Sequence, residues 1–286
     1  MSENTPLTSS TNYGWTAGFT NMLRKELGRW WNWKSLTVQL IAWLTIINAM
    51  VATVLFIVPH VTDEGLRQQI AHELTHHGIV TGTIEFTPVS VANMGVSMFF
   101  LLCGMAMTIG AVIFAHDAIL KERETGTAAW LLSKPLSRKA FIFAKVLANS
   151  LGMMTVILLV QGIITYALCS VELGRSIALL PFLTSLCLMG LDVLFYLLLA
   201  MMLGAFTLSR GITLGVPIVL GLVGGELLTL LPDLSHYTPW SLSGMAQAVA
   251  ISAPAVSVDN LTVLATVAWI LLFILAAVWR FEKSEL

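Results

Sequence analysis

The chain has 286 residues, of which 57% are hydrophobic and only 11% charged, and its mean hydropathy is +0.84. This lies far below the roughly 25% charged residues of soluble domains, so it excludes a soluble enzyme, and no room is left for a separate soluble domain of the usual ~100–150 residues. A net charge of −1 excludes a general affinity for nucleic acid or another polyanion.

Residues 1–13 are polar and lack the cationic stretch and short apolar core of a signal peptide, so no cleaved leader is expected. Residues 16–34 place Phe19, Met22, Leu23, Trp30 and Trp33 on one helical face, with Arg24, Lys25, Arg29 and Lys34 supplying positive charge. That pattern suits an interfacial helix in the headgroup region. Six apolar segments follow, at about 36–58, 91–115, 141–169, 177–207, 212–231 and 260–280, each near or above the ~20 residues that cross a bilayer. The fifth is expected to be interrupted by Pro217 and several glycines. Cys103, Cys169 and Cys187 fall in or beside these segments and read as small buried hydrophobes.

The segment 59–90 between the first two spans holds an expected short helix, 63–77, with Asp63 and Glu64 in its first turn. It also holds His72-Glu73-Leu74-Thr75-His76, an H-E-x-x-H match whose two histidines share a helical face. A membrane-bound zinc metallopeptidase is therefore an alternative function. The longer zincin pattern fails, since Ile79 stands at its glycine and Gly82 at its third histidine. His72, His76 and His77 remain weak metal candidates, with Glu85 as a further ligand.

Between spans two and three, residues 116–145 are highly charged and carry Lys121, Arg123, Lys134, Arg138, Lys139 and Lys145. Thr127 is placed to cap a short apolar turn holding Trp130, Leu131 and Leu132, which ends before Pro135. An apolar helix on a charged loop suits docking into a groove on another protein. Further on, Asp192 and Glu226 are carboxylates expected at membrane depth, which marks them as candidates for a pathway or a buried polar contact. Asn48, Asn149 and Gln161 suit hydrogen bonds between helices, and the glycines of span five suit a dimer interface or helix movement. Residues 232–259, with three prolines around a short apolar run, read as a re-entrant or interfacial hairpin.

Thirteen of the fifteen Lys and Arg residues fall on the side that holds both termini and the 116–145 loop; Arg67 and Arg175 fall opposite. The positive-inside rule makes that side cytoplasmic. The expected organisation is an all-α polytopic membrane protein with six transmembrane helices. Residues 1–35 are a cytoplasmic N-terminus and interfacial helix, and 36–280 a single transmembrane domain. The latter has an external segment 59–90, a cytoplasmic coupling loop 116–140 and an external hairpin 232–259, and 281–286 form a cytoplasmic tail.

The run D-A-I-L-K-E-R-E-T-G-T-A-A-W-L-L-S-K-P-L-S-R-K-A-F-I-F-A-K, Asp117 to Lys145, resembles the signature of type-2 ABC-transporter permeases. The six-span layout is similar to that family as well. The D-A-I opening is also similar to permeases serving nitrous-oxide-reductase maturation, although E-R-E-T-G-T replaces a more acidic run. The resemblance implies a plasma-membrane exporter subunit that pairs as a homodimer or heterodimer and docks a nucleotide-binding ATPase subunit. It implies docking through Asp117, Glu122, Arg123, Glu124, Gly126, Thr127, Trp130, Leu131, Leu132, Pro135 and Arg138. ATP and Mg would be bound by the partner, with no cofactor on this chain, because its residues contain no G-x-x-x-x-G-K-[ST] phosphate cradle. A non-transporting membrane scaffold is the further alternative.

Overall fold

A computed structural model of the chain describes residues 16, 18–76, 86–127, 136–251 and 258–283. Among the described residues every regular element is helical. The first helix, α1 (Phe19–Trp30), is amphipathic and packs against the start of the third span. It buries Met22, Trp30 and Glu26. Trp33 is not on that face: the chain breaks at Trp31 and Asn32, the Asn32 carboxamide accepts from the backbone N–H of Lys34 at 3.0 Å, and a new helix begins at Trp33. Trp33 therefore stands 79% exposed at the foot of the first span.

Six helical runs are long and apolar enough to cross a membrane. They are α2 (Trp33–His60), α4 (Pro88–Glu124), α5 (Arg138–Leu173), α6 (Leu179–Phe206), α7 (Arg210–Leu230) and α9 (Asn260–Lys283). Between α2 and α4 lies α3 (Glu64–His76), whose backbone N–H at Leu66 is held by the Asp63 carboxylate at 2.7 Å. Between α7 and α9 lie two short 3₁₀ turns and α8 (Leu242–Ala250). Helix α4 opens with Pro88 at its first position, and Thr87 and Ser90 exchange hydrogen bonds in a capping box.

Helix α6 is apolar all the way round, as a helix surrounded by others must be. It packs on α4, α7, α8 and α9, and 72% of its most apolar window is buried. Phe182 at one end of it meets Phe99 and Phe100 of α4 and Tyr166 of α5, while Phe195 meets Phe273 of α9. Helix α7 is its opposite, with 17% of its window buried. It runs unbroken through Pro217, contrary to the interruption the sequence suggested. Pro217 has no N–H to donate to the carbonyl of Thr213, which is a local loss that the rest of the helix tolerates.

Hydrogen bonds join the spans where the sequence placed lone polar groups. Asn48 donates to Gln161 at 2.6 Å and accepts from Thr165 at 2.9 Å, tying α2 to α5. Asn48 closes a π-helical stretch, Leu44–Asn48. Two further π stretches interrupt the long spans, Cys103–Met107 in α4 and Met153–Leu159 in α5. Such insertions recur at functional positions in helices. Helix α8 lies between α6 and α4 with Leu242 and Ala246 fully buried, so it is inserted into the bundle.

Candidate functional site

The charged loop between spans two and three is much shorter than its composition suggested. Helix α4 continues past the apolar segment to Glu124, and α5 starts at Arg138. Only a short connection remains, because Lys121 to Glu124 are good helix formers and nothing stops the helix before Gly126. Gly126 has φ +68°, the left-handed conformation that terminates a helix and that glycine adopts without a Cβ penalty. The N–H of Thr125 bonds the carbonyl of Lys121, and that of Gly126 the carbonyl of Arg123. The hydroxyls of Thr125 and Thr127 lie 2.8 Å apart. Trp130, Leu131, Leu132 and Pro135, expected to form the docking turn, lie outside the described residues.

The charges flanking this connection are engaged within the chain. Arg123 donates to the carbonyls of Gly204 and Ala205 at 3.0 and 2.8 Å, satisfying the C-terminal end of α6. Arg138 does the same for α9, donating to Glu282 at 2.7 Å and Phe281 at 3.4 Å. Guanidinium groups suit such ends, where carbonyls lack helical partners and the dipole is negative. Glu124 pairs with Arg210 of α7 at 2.6 Å, and Asp117 lies 3.1 Å from His116.

Glu122 enters a deeper cluster. Lys145 of α5 is fully buried, with its ammonium 3.1 Å from Glu122 of α4 and 3.1 Å from Glu26 of α1. Lys25 reaches Glu122 at 3.4 Å and Arg29 reaches Glu26 at 3.3 Å from the exposed side. A buried ammonium is tolerated only when paired and hydrogen-bonded, and here the Glu26 carboxylate accepts its hydrogen bond while Glu122 adds a second ion pair. Trp30 of α1 completes the joint by donating to Asn149 at 3.3 Å. Neither Glu26 nor this role of Lys145 was singled out from sequence. Glu26 is four residues from both Met22 and Trp30, so its place on the buried face was readable.

A second site lies toward the other end of the bundle. A cavity of about 290 Å³ opens between α4, α6, α7 and the inserted α8. Asp192, Tyr196, Glu226, Trp240 and Gln247 are among its lining residues. Asp192 is 5% exposed and makes no hydrogen bond or ion pair with any described residue. Glu226 stands at the exposed rim near the end of α7, shallower than its sequence position suggested. The Trp240 ring reaches the cavity because residue 224 is glycine; a Cβ there would sit 2.2 Å from the indole. Tyr196 follows Asp192 by four residues on α6, so its place on the same face was readable; Trp240 and Gln247 gave no sequence signal, since they reach the cavity only through the packing of the 3₁₀ turn and α8.

The H-E-x-x-H residues lie on α3, with the His72 and His76 rings 6.5 Å apart between centroids. His77 and Glu85 lie outside the described residues. Among the described residues no three His, Cys, Asp or Glu side chains converge as a metal site would require.

Comparison with curated proteins found no match. The sequence pattern of the ABC-2 family transporter proteins matches residues 60–286, which takes in five of the six spans and the Asp117–Lys145 run. The chain is a multi-pass membrane protein and belongs to the ABC-2 transporter family, as a permease component.

Proposed function

We propose that this permease is an exporter subunit that couples ATP hydrolysis on a separate nucleotide-binding subunit to passage of substrate across the plasma membrane. ATP and Mg belong to that partner, and two permease chains, identical or different, form the membrane core. The end of the bundle bearing both termini faces the cytoplasm, in keeping with thirteen of fifteen cationic residues on that side. The connection between α4 and α5 is the coupling segment, with Trp130, Leu131 and Leu132 supplying buried contact and the charges of the loop setting partner choice.

The observation that carries this reading is the set of links at the base of that connection. Glu122, Arg123 and Glu124 join α4 to α1, α5, α6 and α7, and Arg138 joins α5 to α9. Force applied to the coupling segment thus reaches most of the bundle through ion pairs and helix caps, which suits rigid-body tilting of the helices. The weak burial of α7 leaves an apolar face for the second permease chain.

The test is co-purification. The native chain should bring down an ATP-hydrolysing subunit, and Trp130→Glu should release it while the chain stays folded. Retention of the ATPase and of transport by Trp130→Glu would remove the docking assignment.

A further inference from the structure

We propose that the cavity between α4, α6, α7 and α8 binds a small organic cation, an amine or quaternary ammonium carrying about one ring, with Asp192 as its counter-ion. The proposal deepens the transport reading by naming a class of cargo for it.

Four observations converge on this class. Asp192 is withdrawn from solvent in the middle of α6, lines the cavity and has no hydrogen-bond or ion-pair partner among the described residues. An ionisable group at such depth is costly unless something pairs with it, and among the described residues nothing cationic lines the cavity. Lys145 and its partners show how this chain treats a buried charge that serves structure, giving it two opposite charges at 3.1 Å. Asp192 has been given none.

The second observation is the second carboxylate. Glu226 stands at the rim of the same cavity, where it would draw a cation in from the surface. The third is the aromatic pair. Tyr196 and Trp240 line the cavity beside Asp192, and indole and phenol faces attract cations, most strongly where water is excluded. Gly224 makes room for the indole, so this placement is built into α7.

The fourth is size and ligand set. A volume of about 290 Å³ is at the small end of ligand sites and suits one compact molecule. A hard metal ion wants six or more oxygens, and the described residues bring no three metal-binding acidic, His or Cys side chains together. Leu101 and Leu222 add apolar wall that a bare ion would not use but a hydrocarbon substituent would. Met105 and Leu222 are half exposed where they line the cavity, so it opens on the flank of the bundle. An amphiphilic cation could enter there from the bilayer.

The probe is benzyltrimethylammonium, measured by equilibrium dialysis against the full chain in phosphatidylcholine nanodiscs without any ATPase. Binding should saturate at one cation per chain and weaken at least tenfold in Asp192→Asn, and the probe should raise the Tm of the native chain but not of that variant. Glu226→Gln and Trp240→Leu should each weaken binding several-fold, and these two decide the matter should Asp192→Asn lose its helical circular dichroism. Non-saturating uptake, or equal binding by native and variant chains, overturns the proposal. So does saturable calcium or zinc binding that depends on Asp192 and displaces the probe. Because no partner is present, failure here leaves the docking of the ATPase untouched, and failure of docking leaves this site untouched.

Discussion

Lys145 and Asp192 are both ionisable side chains withdrawn from solvent inside a membrane-spanning helix, and they are treated in opposite ways. Lys145 is gripped by Glu26 and Glu122 from two other helices, with Lys25 and Arg29 closing the cluster from outside. Asp192 faces a cavity and has no hydrogen-bond or ion-pair partner among the described residues. A charge whose partners are all built in locks helices together, whereas one without partners lowers stability until something else supplies the pairing. The first arrangement ties α1 to α4 and α5; the second leaves the carboxylate open to the proposed ligand.

The largest effect should come from breaking the paired charge. Lys145→Ala leaves two carboxylates facing each other in a buried joint and should cost about 3–5 kcal/mol, the range for removing one partner of a buried pair. Chemical unfolding in detergent measures it, and a loss below about 1 kcal/mol would mean that water reaches the cluster. Next, Gly224→Ala forces a Cβ into the Trp240 indole and should cost about 1–3 kcal/mol, typical of overpacking, with a shift in tryptophan emission as the ring moves. Asp192→Leu should act in the other direction. Removing an unsatisfied polar group should raise stability by about 1–3 kcal/mol while abolishing cation binding. A destabilised Asp192→Leu chain would mean that the carboxylate has a structural partner, and the contrast with Lys145 would fail.

Smaller effects sharpen the comparison. Asn48→Ala removes hydrogen bonds to Gln161 and Thr165, and exchanges of this kind within membranes average about 0.6 kcal/mol, so this paired but uncharged site should matter less than Lys145. The smallest effect belongs to an exposed pair. Asp259 is held down to about 2 by hydrogen bonds from His236, Thr262 and the backbone N–H of Leu261. A carboxylate depressed in the folded chain stabilises it above the ordinary value of ~3.9, and that contribution fades as pH falls from there through about 2. His236→Ala should move the Asp259 titration back up, read by carbon-13 NMR of the carboxylate.

The six spans were legible because an apolar run of twenty residues has one economical fate in a bilayer. The charged loop between spans two and three was less so. Charge marked residues 116–145 as outside the membrane, but charge does not end a helix, and His116–Glu124 and Arg138–Lys145 are the ends of α4 and α5. The break before Trp33 had a readable signal in the Asn32 cap, which side-chain periodicity across 16–34 overrode. Lys145 and Glu26, 119 residues apart, and the meeting of Asp192 with Trp240 depend on how helices pack, and no local pattern encodes that. Asp192 and Glu226 were visible as lone carboxylates in apolar runs, which is why two residues of the cavity could be named from sequence and the Trp240 wall could not.

The length of α4 has a mechanical meaning. Its 37 residues span about 55 Å at 1.5 Å per residue, well beyond the roughly 30 Å of hydrocarbon. Leu101, Gly104 and Met105 border the cavity, while Glu122 to Glu124 lie at the end of the same rod, beside the connection to α5. The helix is thus a lever arm. Pivoting about its Pro88 end by about 10° would swing the Glu124 end by roughly 9 Å and carry the cavity-bordering residues near the middle of the rod by roughly 4 Å, enough to change the width of the cavity.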